Sequence, residues 1–313
     1  MKNKLLSLIV VILVPFVVIS FRSENEKTNF YLPEIKGLKA SKENELTRKV
    51  RVKDSKNDVV TEMDLDEYLV GVVASEMPAS FHIEALKAQA VAARSYAIYK
   101  MGKSSGSYDV VTDVSNQGFI TVDEMKEKWQ SDFYKYYEKI KNAVYDTHNE
   151  IITFNNNVIE AFYFSMSNGY TEDASLVFSE NEPYLVSVAS KWDNESLRGF
   201  NSELILPNEK FLKKLGLSGN IVINDIERSS TNRVNKITIN NMEFIGTKFR
   251  KLLDLRSTDF DITLLEDKVK ITTHGYGHGV GLSQYGANGM AKEGYKYNDI
   301  IPYYYKGTEI TKI

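Results

Sequence analysis

Apolar and polar positions alternate differently in three stretches of the chain. From Leu5 to Phe21 every position is apolar except Ser7 and Ser20, with Lys2 and Lys4 before the run and Arg22 after it. The run is at the lower limit for a spanning helix and longer than the core of a usual signal peptide. Pro15 inside it is compatible with a membrane span, and Val18-Ile19-Ser20 makes a poor small-residue cleavage site. The expectation is an uncleaved signal-anchor over residues 1–22, with the lysines holding the N-terminus inside and the rest of the chain outside. Residues 23–48 are polar and charged with scattered apolar positions, the pattern of a flexible stalk.

Element-like periodicity begins at residue 49. Lys49–Lys53 reads as a strand ahead of a turn at Asp54–Asp58. Asp64 stands as a helix cap, with Glu67 three residues on to complete a capping box. Leu65, Leu69, Val72 and Val73 then share one helical face up to Pro78. A second helix from about Phe81 to Lys100 carries Ala85, Ala88, Ala90, Ala92, Ala93 and Ala97. Side chains this small let neighbours approach closely, which marks it as central and buried. Glu124–Ala143 reads as a surface helix and Lys248–Leu253 as a short one. Ile151–Phe154, Val158–Phe164, Leu204–Leu206, Ile221–Ile223, Val234–Ile239 and Val269–Thr272 are β-branched or aromatic and bounded by Asn, Gly and Asp, so they read as strands. Helices flank clustered strands without regular alternation. The expected class is α+β: a membrane helix and stalk, then one mixed domain over residues 49–313 with a central alanine-rich helix.

Composition narrows the field. A net charge of −3 with acids and bases interspersed gives no basic field for nucleic acid. The chain has no cysteine, which removes disulfides, thiolate metal sites and a cysteine nucleophile together.

Glu76 falls three residues after Val73 and four after Val72, on the apolar stripe of the first helix. A carboxyl against apolar surface is costly to ionise, and the raised pKa that follows suits a general acid; the alternative is an end-of-helix Glu that swings out to water. Arg94 follows Val91-Ala92-Ala93, so its stem crosses buried surface, and its head group either pairs with an acid or holds a substrate oxygen. The block Gly275-Tyr276-Gly277-His278-Gly279-Val280-Gly281-Leu282-Ser283-Gln284-Tyr285-Gly286-Ala287 lets backbone pass close to a ligand or take conformations closed to other residues. His274 and His278 have i, i+4 spacing, but the glycines between them argue against the helix a zinc pair needs. Phe162–Glu172 crowds aromatics and hydroxyls, Ser165 and Ser167 among them, around a glycine turn; sugar rings are bound by this mixture, and plain turns also have it.

In combination these pieces are far more specific. Tyr68–Pro78 (YLVGVVASEMP), Phe81 and Glu84–Tyr96 (EALKAQAVAARSY) closely resemble the stage II sporulation protein D family, and the YGHGVGLSQYGA block resembles its C-terminal signature. Val111-Thr112-Asp113 with Gln117, the Ser165–Glu172 patch and Pro183-Tyr184-Leu185 fall between them in order. The resemblance covers about Val50 to the C-terminus. It implies a lytic transglycosylase that cuts peptidoglycan during engulfment of the forespore, at the septal or engulfing membrane, preferring glycan stripped of stem peptides. A membrane-bound amidase or endopeptidase and a membrane scaffold of the engulfment machinery are the implied partners. The implied catalytic acid is Glu76; the implied substrate-binding residues are Arg94, Gln117, Ser165, Ser167, Tyr184, His278, Gln284 and Tyr285. No cofactor is implied. Some relatives hold zinc with His and Cys where this chain has Asp113, Ser115 and Asn116, so no metal is carried over. Val186 stands where many members have lysine. Two other readings stay open: a glycan-binding amidase enhancer that does not use Glu76, and a two-carboxylate hydrolase pairing Asp113 with Glu76. An uncleaved anchor predicts that protein extracted from membranes retains residues 1–21 by intact mass; an N-terminus near Phe21 would show a removed signal instead.

Overall fold

The structure, a computed structural model, describes residues 48–113, 116–178 and 182–313. The expected membrane helix, and all of the expected stalk but Arg48, lie outside them, and among the described residues no helix is long and apolar enough to cross a membrane. Strand β1 (Lys49–Lys53) pairs antiparallel with β2 (Val60–Asp64), which leads directly into helix α1 (Leu65–Glu76). Asp64 Oδ1 accepts from the backbone N–H groups of Asp66 and Glu67 at 2.9 and 3.2 Å, satisfying donors that a helix start leaves without partners. Helix α2 (Ile83–Lys103) follows, and β3 (Val110–Val111) returns parallel to β1.

Glu124–Ala143 forms two helices instead of one. Helix α3 (Val122–Trp129) stops at Gln130, whose φ of 48° lies outside the helical region, and α4 (Phe133–Asp146) restarts after a short 3-10 turn. Helix α4 is also more than a surface helix: Phe133, Ile140, Ala143 and Val144 are buried. The apolar stretch Val158–Phe164 is likewise divided. After β4 (Glu150–Phe154), β5 (Asn157–Val158) closes a hairpin on it, and β6 (Tyr163–Phe164) pairs in a different sheet; a run of apolar residues specifies burial without specifying one partner strand.

A module is inserted next. Strand β7 (Asn201–Pro207) and α5 (Asn208–Leu215) precede β8 (Ile223–Arg228), β9 (Val234–Ile239), β10 (Met242–Ile245), α6 (Gly246–Leu253), β11 (Phe260–Leu264) and β12 (Lys268–His274). Two antiparallel three-stranded sheets, ordered β10-β9-β8 and β11-β12-β7, enclose a core that includes Phe211, Ile237, Phe249, Phe260 and Ile271. The expected strand at Ile221–Ile223 lies later, over Ile223–Arg228. The chain then rejoins the main body through β13 (Leu282–Ser283), α7 (Gln284–Lys292), α8 (Tyr297–Tyr304) and β14 (Glu309–Lys312). The arrangement is mixed α+β.

Helix α2 is the axis of the main body. It packs against α1, α4, α7, α8 and β4, and all six of its expected alanines are fully buried. Arg94 sits on this helix at 1% exposure. Its Nη2 donates to Asp66 Oδ1 (3.0 Å) and Val144 O (2.9 Å), and its Nη1 to Thr147 O (2.7 Å) and Glu150 O (3.2 Å). One planar cation therefore ties the first turn of α1 to the last carbonyls of α4 and the start of β4. His148 Nδ1 takes the other oxygen of Asp66. This is the pairing role for Arg94, away from solvent. Arg94→Ala, which strands the buried Asp66, is expected to lower the free energy of unfolding by about 3–5 kcal/mol; a loss under about 1 kcal/mol in denaturant titration would mean the pair does not hold these elements together.

Candidate active site

Glu76 is the last residue of α1, where the helix runs out against the loop that follows β3. That loop is pinned to α1 at two heights. Phe119 stacks on Tyr68 with ring centroids 5.7 Å apart, and Ile120 N donates to the carbonyl of Gly71 at 3.3 Å. The ring of Phe119 lies where any side chain at Gly71 would go, 2.2 Å from an ideal Cβ. Gln117 is the third tie, at 1% exposure: it accepts from Tyr68 Oη (3.2 Å), and its Nε2 donates to Ala93 O (3.3 Å) and Tyr163 Oη (3.0 Å). The loop so held presents Gly118 N–H to Glu76 Oε1 at 2.5 Å, the only hydrogen bond to this carboxyl among the described residues.

Burial pushes the Glu76 carboxyl above its ordinary range, and the Gly118 N–H opposes this more weakly. The bond also differentiates the two oxygens. An oxygen that accepts from an amide is the poorer seat for a proton, so a proton taken up by this carboxyl is favoured on Oε2 over Oε1.

Glu76 borders a cleft of about 390 Å³ lined by Ser75 to Pro78, Lys128, Ser165, Met166, Arg198, Gly199, Arg256, Tyr276, Gln284 and Tyr285. Glu76 is the sole carboxylate in that lining. Lys128 Nζ donates to the carbonyl of Ala74 at 2.9 Å, in the last turn of α1. The Arg256 guanidinium lies 5.2 Å over the ring of Tyr276 and donates to Gly199 O at 3.4 Å. Tyr285 meets Phe81 edge-on at 4.9 Å. Two tyrosines therefore line a cleft that also holds three cations and one carboxyl.

The sequence model of the family described as Stage II sporulation protein matches residues 53–154. The chain is also 39% identical over 298 residues to stage II sporulation protein D of Bacillus subtilis (strain 168), which spans 92% of this chain and 86% of that protein. The chain belongs to the stage II sporulation protein D family. Its counterpart in Bacillus amyloliquefaciens is 39% identical over 300 residues, 93% of this chain and 86% of that protein. The amidase enhancer of Bacillus subtilis (strain 168) is 27% identical over 299 residues, spanning 78% of this chain but 40% of that protein.

In this family member the expected site divides in two. Glu76, Ser165, Gln284 and Tyr285 line the cleft together. Arg94, Gln117, Ser167, Tyr184 and His278 do not. Gln117 is one layer behind, holding the loop. Ser167 is fully buried and donates to Asp193 Oδ2 at 2.7 Å. Tyr184 is buried against Phe154, its hydroxyl accepting from Glu160 N–H. His278 Nδ1 accepts from Val280 N–H (3.1 Å), so Nε2 carries the proton and donates to Tyr163 O (3.1 Å). Burial, with Arg250 and Arg233 nearby, pushes its pKa down to about 4. His274 lies 3.5 Å from Asp259, so the two histidines have separate neighbours. The glycine block is equally structural: an ideal Cβ at Gly281, where φ is 79°, would sit 2.0 Å from Phe162 O.

Sequence reading missed Gly118, Lys128, Arg198, Arg256 and Tyr276 as site residues. Gly118 had a faint signal, a lone glycine beside the Gln117 singled out. An ideal Cβ there would lie 2.7 Å from Ser75 Oγ and 3.1 Å from Glu76 Oε1. Gly118→Ala is therefore expected to displace the carboxyl, reducing turnover by ~10²-fold while thermal unfolding shifts by only a few degrees. Full activity in kinetic assays of the folded variant would show that the Gly118 bond does not set the position of the acid.

Proposed function

We propose that this protein is a lytic transglycosylase that cleaves the MurNAc–GlcNAc bonds of peptidoglycan glycan strands. It acts from a single-pass membrane anchor with its catalytic domain outside the membrane, in engulfment during endospore formation. Membership of the stage II sporulation protein D family supports the setting. The observation that carries the reaction is the single carboxylate in the cleft. Hydrolysis of a glycosidic bond ordinarily takes two carboxyls, an acid and a base or nucleophile. One suffices if the nucleophile belongs to the sugar. The Oε2 proton of Glu76 passes to the bridging oxygen as the bond to MurNAc C1 breaks, releasing the GlcNAc hydroxyl. The carboxylate left behind then takes the proton of the MurNAc 6-hydroxyl as that oxygen closes onto C1. The product end is a 1,6-anhydro ring, and Glu76 regains its proton.

Tyr276 and Tyr285 fit this substrate by offering faces to sugar rings. A membrane-bound amidase or endopeptidase, and a scaffold of the engulfment machinery, are the partners that go with this setting. The amidase enhancer relative supports a second reading, a glycan-binding module without catalysis, in which Glu76 would be dispensable.

Denuded glycan strands incubated with wild type are expected to gain 1,6-anhydro ends by mass, and Glu76→Gln and Glu76→Ala are expected to lose them. Ordinary reducing ends, or cleavage that persists in both variants, would sink the reading; no cleavage of any glycan by wild type would favour the enhancer. The raised pKa sets the sign of the pH dependence. The protonated acid is depleted as pH rises through that pKa, so kcat/KM is expected to fall on an alkaline limb lying above the usual carboxylate range. A limb at or below that range would contradict the burial of Glu76.

A further inference from the structure

A second groove, which shares no residue with the cleft beside Glu76, lies against α5 of the inserted module. It has a volume of about 630 Å³ and is lined by Pro207, Glu209, Lys210, Lys213 and Lys214. Phe211, Leu212 and Leu215 turn the other face of α5 into the module core, so the three lysines point outward, and all are exposed. Their i, i+3, i+4 spacing puts three like charges on one face, which disfavours the helix. The C-terminal end of the helix dipole offsets part of this at Lys213 and Lys214, which lie in the last turn, but not at Lys210. Lysines elsewhere on the module have acids: Lys236 faces Glu243 at 3.6 Å and Lys270 faces Glu203 at 2.5 Å. Lys210, Lys213 and Lys214 make no ion pair among the described residues, although Glu209 shares their groove.

The charge continues onto α6. Phe211 and Phe249 meet edge-on at 6.3 Å between the two helices, and Lys214 Nζ donates to the carbonyl of Leu252 at 3.3 Å. That bond brings the lysine face of α5 to the last turn of α6, where Lys251 is exposed about one turn after the exposed Lys248. Neither makes an ion pair among the described residues. Five ammonium groups without an acid therefore leave one helix pair, on a chain whose net charge is −3.

The kind of cation and the shape of the surface point to the ligand. The carboxylates of an acidic peptide are best matched by the guanidinium fork, and the one arginine on these helices, Arg250, is half-buried with its Nε donating to Leu255 O at 3.1 Å. Ammonium groups on flexible stems are point charges that take a phosphate from any angle. A groove, unlike a flat face, accepts a strand better than a bilayer. We propose that α5 and α6 form a binding site for a linear phosphodiester polymer, of the poly(glycerol phosphate) kind, laid along the groove. The site is independent of the chemistry at Glu76: it tethers the module to a polyanion whatever reaction the cleft performs.

The test uses the full-length protein in nanodiscs of neutral lipid and follows binding of poly(glycerol phosphate) by calorimetry at about 50 mM and about 200 mM salt. Wild type is expected to bind, and to weaken steeply with salt because each neutralised phosphate releases counterions. Lys210→Gln, Lys213→Gln and Lys214→Gln together are expected to weaken binding at low salt by about tenfold or more and to flatten the salt dependence. Adding Lys248→Gln and Lys251→Gln is expected to weaken it further, whereas Arg at the three groove positions, which keeps the charge, is expected to retain it. All these positions are exposed, so thermal unfolding is expected to stay close to that of wild type. No binding by wild type at low salt, or unchanged binding in the triple Gln variant, would overturn the site. Equal binding of poly-glutamate would make this a surface for acidic peptides, and displacement by anionic vesicles but not by free polymer would make it one for lipid; either result overturns the polymer.

Discussion

The buried guanidinium of Arg94 is the constraint on which the geometry of the cleft depends. It gathers Asp66 at the start of α1, two carbonyls at the end of α4 and one at the start of β4. A charge this deep is tolerable only when it is paired and hydrogen-bonded, as both Nη atoms are here while Nε has no partner among the described residues, so the pairing favours one arrangement of the three elements. Glu76 stands at the far end of α1 from this anchor. The direction in which Glu76 emerges is thus decided ten residues away, by an ion pair buried from solvent. The loop carrying Gly118 refines the position locally, through the Gly71–Phe119 contact and the bonds of Gln117.

The cleft joins two bodies with separate cores. The main body contributes Glu76, Ser165, Gln284, Tyr285 and Lys128; the inserted module contributes Arg256, with Arg198 and Tyr276 on the segments that enter and leave it. The two are joined by a buried polar seam. Glu172 receives Ser229 and Thr231 hydroxyls and faces Arg233, while Asn168 donates to Asp259 and accepts from Arg233. Buried hydrogen-bonded groups resist sliding because a shift breaks their bonds. An aromatic face and a guanidinium supplied from the seam can therefore keep register with an acid supplied from α1.

Much of this could be read from the sequence, for reasons that are local. The capping Asp64, the stop at Pro78 and the alanines of α2 act within a few residues, and each specifies its element. Glu76 was legible because a carboxyl on an apolar stripe conflicts with its surroundings, and such conflicts mark function. Arg94 stood out for the same reason, but an isolated conflict does not say whether the partner is substrate or protein. Ser167, Tyr184 and His278 lie in motifs whose chemistry suits sugars, yet their polar atoms satisfy Asp193, Glu160 and Tyr163. The cations were invisible for the opposite reason. Lys128, Arg198 and Arg256 look like ordinary surface charges, and only the fold of the module brings them to one cleft. Tertiary pairing also decided where β5 parts from β6, which no local propensity contains.

The module enters on β7 and leaves on β12, and these two strands are hydrogen-bonded neighbours with Asn201 opposite His274. Cross-strand partners are only about 5 Å apart, so the chain leaves and re-enters the main body at nearly one point. The parts of the module that lie away from the seam with Glu172 and Asn168 can thus lengthen or diverge without rerouting the chain of the main body.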